Sequence, residues 1–106
     1  MIARKWHGRV RAAKADRYYD YLLRTGLADY RHTPGNLGVL VERWAEGDES
    51  HFLITTLWES VEAIKRFAGE DYEVARYYPE DDDYLLEREP YVRHAEVLMV
   101  EVSTGS

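Results

Sequence analysis

Residues 55–69 constrain the fold more than any other stretch. Thr55-Thr56-Leu57-Trp58-Glu59 has the β-branched and aromatic content of a strand, while Val61, Ile64, Phe67 and Ala68 recur at helical spacing with Glu62, Lys65 and Arg66 between them. Ser60 sits between the two patterns, where its side chain can accept from the free N–H groups of the first helical turn, and Gly69 supplies a stop. A strand that turns into an amphipathic helix through so short a corner lays that helix back on its own sheet.

The same reading places the other elements. Residues 2–10 alternate, with Ile2, Trp6, Gly8 and Val10 on one parity and Ala3, Lys5, His7 and Arg9 on the other, the period of a strand. Ala15, Tyr18, Tyr19, Leu22, Leu23 and Leu27 define a helix over residues 12–30 that frays near Gly26. His32-Thr33-Pro34-Gly35-Asn36 is a turn, because proline fixes φ and glycine or asparagine accepts positive φ. Residues 37–45 and 51–59 are β-prone runs joined by the polar Glu46-Gly47-Asp48-Glu49, hence a hairpin. Residues 70–78 are expected to continue as a second short helix, and residues 79–83 to face solvent, since adjacent carboxylates repel when buried. A last strand is expected over residues 91–102, before a tail at 103–106.

The order β-α-β-β-α-β defines an α+β, ferredoxin-like fold: one antiparallel sheet, both helices on one face, and a single domain over residues 1–102. The strands carry apolar residues on both parities, such as Leu53 and Leu57 against Phe52, Ile54 and Trp58. One helix layer cannot cover both faces, so a homodimer is expected.

Composition closes off several function classes. The chain of 106 residues has no cysteine, which removes thiolate metal sites, disulfides and a cysteine nucleophile. Its net charge of −6 is unevenly spread, with 9 Lys+Arg against 7 Asp+Glu in residues 1–53 and 5 against 13 beyond. Arg4, Lys5, Arg9 and Arg11 lie in an otherwise acidic molecule, so no nucleic-acid partner is expected. No apolar run reaches the roughly 18 residues of a membrane span or forms a leader, so neither a membrane partner nor export is expected and the location read is cytoplasmic. The four histidines lack the short spacings that build metal sites, and no metal is expected.

The corner at Thr56-Leu57-Trp58-Glu59-Ser60 leading into Glu62-Ala63-Ile64, together with Trp6, Gly8, Phe67 and Ala75 and the element order, resembles the antibiotic biosynthesis monooxygenase family over roughly residues 1–100. The resemblance implies a dimeric α+β barrel and a pocket between sheet and helices into which Trp58 projects. Relatives in that family include cofactor-free oxygenases of polycyclic phenols and haem-degrading enzymes. The haem-degrading branch pairs the Trp with an asparagine on the first strand and a haem-ligating histidine after the second helix. Here the first strand offers Trp6 or His7, and residues 71–78 contain no histidine.

The expectation is therefore a monooxygenase that uses no cofactor and acts on a small aromatic or polyketide-type molecule. Haem binding or degradation is the alternative, and a non-catalytic ligand-binding or stress-related dimer is a third reading. Trp58 would form the pocket wall, assisted by Trp6, Phe67, Arg76 and Tyr78 as ligand contacts. His7 or His94 would be the base, since imidazole titrates near neutrality. Tyr72 or Tyr77 would donate to oxygen bearing developing charge, because a phenol near pKa 10 is a donor at pH 7.

Overall fold

The computed structural model describes residues 1–103; the end of the expected tail, residues 104–106, lies outside them. The elements are β1 (Ile2–Arg11), α1 (Ala15–Arg24), α2 (Gly26–His32), β2 (Asn36–Glu46), β3 (Glu49–Trp58), α3 (Val61–Ala68) and β4 (Arg93–Glu96), with 3₁₀ turns at Ala12–Lys14 and Asp81–Asp83. The strands form one antiparallel sheet in the order β2-β3-β1-β4. This is the expected ferredoxin-like α+β arrangement, with β1 and β3 central.

Cross-strand register sorts the side chains. Trp6 pairs with Ile54, Gly8 with Phe52 and Ile2 with Trp58, and this parity faces the helices; His7 pairs with Leu53 and Arg9 with His51 on the opposite face. The interlayer core holds Trp6, Val10, Tyr18, Leu22, Leu27, Tyr30, Phe52, Ile54, Trp58, Ile64 and Phe67. Gly8 is required there, since a Cβ would lie 2.5 Å from the Trp6 ring and 2.9 Å from Leu85. Ser60 caps α3 as its position implies, accepting from the Ala63 N–H at 3.1 Å.

Four expectations are corrected. The helix over residues 12–30 is broken at Thr25, whose backbone leaves helical geometry and whose hydroxyl donates to the Tyr21 carbonyl at 2.8 Å, so two helices replace one. Residues 70–78 form turns and extended chain, not a helix; Ala75 N–H donates to the Pro90 carbonyl and Val92 N–H to that of Glu73, tying this segment to the approach to β4. The last strand is four residues long, and Leu98, Met99, Val100 and Val102 beyond it are exposed. The acidic run is not wholly solvated. Asp81 is 3% exposed because its carboxylate accepts from the Tyr78 backbone N–H and from the Tyr18 hydroxyl.

Candidate active site

Arg4 is the residue around which the site is built. It shares the inward parity of β1 with Trp6 and Gly8, and it is 1% exposed. Its guanidinium lies over the Phe67 ring at 5.4 Å and donates to the Val74 carbonyl at 3.3 Å, while its Nε is buried without a partner. Among the described residues no carboxylate lies within ion-pair distance of it. Burial lowers its pKa, opposed by the nearby Tyr30 hydroxyl. A buried cation without an anion is a costly arrangement, and such groups usually meet a ligand or counter-charge.

Arg76 flanks the other side of Phe67 at 4.7 Å and covers Tyr78 at 5.2 Å. It is held by the Phe67 carbonyl at 2.9 Å and by Asp29 at 3.5 Å, and the same Asp29 carboxylate accepts from the Tyr78 hydroxyl at 2.5 Å. Burial, with that hydrogen bond, pushes the Tyr78 phenol up, so it stays a donor. Tyr30 closes the group at 4.5 Å from Phe67.

His94 is the cross-strand partner of Arg4 on β4. Its Nε2 is buried with no hydrogen-bond partner, and its ring stands edge-on to Tyr72 at 5.2 Å. Burial and then the Arg4 charge lower its pKa, partly offset by Glu73, so at neutral pH it is an uncharged imidazole with a free nitrogen. His94 and Tyr72 line a cleft of about 500 Å³ at the sheet edge, bounded also by Ile2, Glu59, Val61 and Glu96. A neutral base beside an unpaired cation can take a proton from a ligand and hold the resulting anion.

The structure distributes the sequence candidates unevenly. Trp58 is fully buried, edge-on to Tyr30 at 6.4 Å and tilted against Phe67 at 6.0 Å, and its Nε1–H already donates to Thr56 Oγ1 at 2.8 Å. It supports Phe67 from below. Trp6, Phe67, Arg76 and Tyr78 gather in the same layer, and Trp6 Nε1 is buried without a partner. Tyr77 stands edge-on to Trp6 but gives its hydroxyl to the Glu89 carbonyl at 2.5 Å, and burial and then Glu89 push its pKa up to about 12. His7 is on the opposite sheet face, away from Trp58, against Glu89 and His51. The structure adds Arg4 and Tyr30 to the candidate residues read from the sequence. The sequence did hold a signal for Arg4, a charge at an inward position of an otherwise apolar parity.

The four-stranded antiparallel sheet carrying its helices on one face is a fold shared with solved structures, one of them named for the family that the sequence resembles. No family model matches the chain and no curated protein does. Solved structures do. MhuD, a haem degrader from Mycobacterium tuberculosis, with two haems in its active site, is 20% identical, covers 96% of this chain and 100% of its own, and superposes with a TM-score of 0.63. A variant of MhuD with two manganese protoporphyrin IX molecules per active site is 20% identical over 97% and 100%, with a TM-score of 0.61. A Bacillus cereus protein named as a candidate antibiotic biosynthesis monooxygenase is 17% identical over 96% of each chain, at 0.59. Likeness at this level establishes the fold.

These structures correct the expectation that no cofactor is involved, because MhuD holds porphyrins in its active site. Whether this chain's residues fit a porphyrin can be tested directly. Ligand pockets for molecules of that size run to about 300–1,000 Å³. The interlayer space between Trp6, Tyr18, Tyr30, Arg76 and Tyr78 is about 20 Å³. The edge cleft is larger, but Glu59, Glu73 and Glu96 on its walls would oppose anionic propionates. In this closed arrangement the residues do not fit the group.

Proposed function

We propose that the chain is an oxidoreductase of the antibiotic biosynthesis monooxygenase type, acting on a small aromatic or polyketide-type molecule at the Arg4–His94 edge of the interlayer space. The observation that carries this reading is the pairing of a neutral, unpartnered His94 Nε2 with a buried, unpaired Arg4. His94 removes an acidic proton from the ligand, Arg4 offsets the charge left on oxygen, and Tyr72 walls the ring. Phe67, held between two guanidiniums and braced by Trp58, keeps both cations in place. Oxidation of the anion draws on O₂.

Oxygen uptake with phenolic and anthrone-like compounds tests it. Substrate-dependent uptake should fall by about 100-fold or more in His94→Gln, the scale of general-base loss. Wild-type uptake that survives this substitution would remove His94 from the chemistry. Porphyrin binding is the second reading, favoured by the two MhuD structures; a saturable Soret shift on titration with haemin, with a pocket opened to admit it, would replace the first reading with the second.

The assembly we propose is a homodimer formed through the uncovered sheet face. Leu40 and Trp44 are exposed on it, Leu53 and Leu57 are half-buried, and the apolar stretch Leu98, Met99 and Val100 has no cover. A monomer mass by light scattering at micromolar concentration would refute the assembly. No helix among the described residues is long and apolar enough to cross a membrane.

A further inference from the structure

The sheet face away from the helices carries a chain of four titratable side chains that the Arg4–His94 reading does not use. His7 Nδ1 lies 2.5 Å from Glu89 Oε2, His7 Nε2 lies 2.9 Å from His51 Nδ1, and His51 Nε2 lies 3.2 Å from Glu46 Oε1. Trp44 stacks on His51 with centroids 4.9 Å apart and planes within 8°, and on His7 at 5.9 Å, which fixes both ring planes.

Hydrogen-bond direction along this chain leads to a conflict at its outer end. A carboxylate only accepts, so Glu89 requires the proton of His7 on Nδ1, and a neutral His7 then presents a lone pair at Nε2. That lone pair accepts from His51 Nδ1–H. A neutral His51 is thereby left with its lone pair on Nε2, aimed at Glu46. With both rings neutral, two acceptors face each other across 3.2 Å, and either a proton or a metal cation must lie between them. Glu49 converges on the same point, since His51, Glu46 and Glu49 each offer one ligand atom and these lie within 4.8 Å of one another.

We propose that His51 Nε2 and the carboxylates of Glu46 and Glu49 form a binding site for a borderline divalent cation, Zn²⁺ foremost, at the β2–β3 hairpin end. One imidazole with two carboxylates is a donor set that zinc accepts, with remaining positions left to water. The chain behind His51 is the outer-shell arrangement metal-bound histidines use: the non-ligating nitrogen donates to a partner that fixes the tautomer and ring orientation. Here that partner is His7, itself anchored by Glu89. The side chains facing the cluster allow the exchange. Arg9 holds Glu49 at 2.8 Å but also holds Glu87 at 2.9 Å, so releasing Glu49 to the cation leaves Arg9 paired. Lys5 and Arg93 lie at the His7 end, away from the ligand atoms. A proton on His51 Nε2 is the competing occupant, so binding weakens on acidification.

The test is a calorimetric titration of the full chain with Zn²⁺ near neutral pH, with thermal melts of each variant. We expect one saturable site per chain. Glu46→Gln, at a largely exposed position, and His51→Ala should each weaken it at least tenfold. His7→Gln, which removes the outer-shell acceptor, should weaken it by about 10–100-fold. Glu70→Gln, a surface carboxylate elsewhere, should leave it unchanged. Absence of a saturable site in the wild-type chain, or wild-type affinity in folded His51→Ala, would overturn the assignment. The readout does not depend on activity, so it stands or falls separately from the Arg4–His94 reading.

Discussion

Replacing Arg4 by methionine should stabilise the protein while disabling the proposed site. The guanidinium is buried with no carboxylate near it, and the effective penalty for such a charge is several kcal/mol. Against this stand its hydrogen bond to the Val74 carbonyl, worth about 2 kcal/mol for a charged donor, and its contact with Phe67, worth about 1 kcal/mol. Methionine keeps the linear stem and fills an irregular gap well. The net expectation is a gain of about 1–2 kcal/mol. For a domain near 100 residues, a change of 1 kcal/mol moves Tm by about 4–8 °C, so the melt should rise by several degrees. Thermal and urea unfolding, with an unchanged urea m value, measure the gain; oxygen uptake or ligand binding measures the accompanying loss. A destabilisation of more than about 1 kcal/mol would show that Arg4 is compensated within the fold and is not waiting for an anion.

Other substitutions test separate parts of the account. Ser60→Ala removes the α3 cap and should cost about 1 kcal/mol in urea unfolding. Gly8→Ala drives a methyl group into the Trp6 ring and Leu85 and should cost about 1–3 kcal/mol, with loss of near-UV signal from the displaced indole. Tyr18→Phe leaves buried Asp81 with the Tyr78 N–H alone and should cost about 1–3 kcal/mol. The pH dependence has a definite sign at His94, whose pKa is lowered by burial and by Arg4. The unfolded chain takes up this proton near pH 6.5, before the folded chain does, so stability is complete above that pH and declines on acidification below it. His94→Gln should flatten that part of the curve as followed by urea midpoints.

The elements with strong local signals were legible from the residues alone. The period-2 run in β1, the hairpin turn between β2 and β3, and the Ser60-to-Gly69 helix each follow from short-range chemistry, and their order implied the ferredoxin-like topology. The misread elements were those whose conformation depends on distant partners. Residues 70–78 have helix-compatible composition, yet their backbone groups bond to Pro90 and Val92. Asp81 looked solvated beside Asp82 and Asp83, and became buried because Tyr18 and the Tyr78 N–H meet it from other parts of the chain.

The site divides the same way. The sequence by itself determined which side chains share a strand face, because side-chain alternation is local; it therefore put Arg4 with Trp6 and His7 with Arg9. Only the tertiary structure decided which faces are roofed. It brought β4 beside β1, setting His94 against Arg4, and laid β3 against the other flank of β1, setting His51 against His7. Charges become chemically distinctive through desolvation and convergence, and both depend on residues tens of positions apart meeting across a sheet.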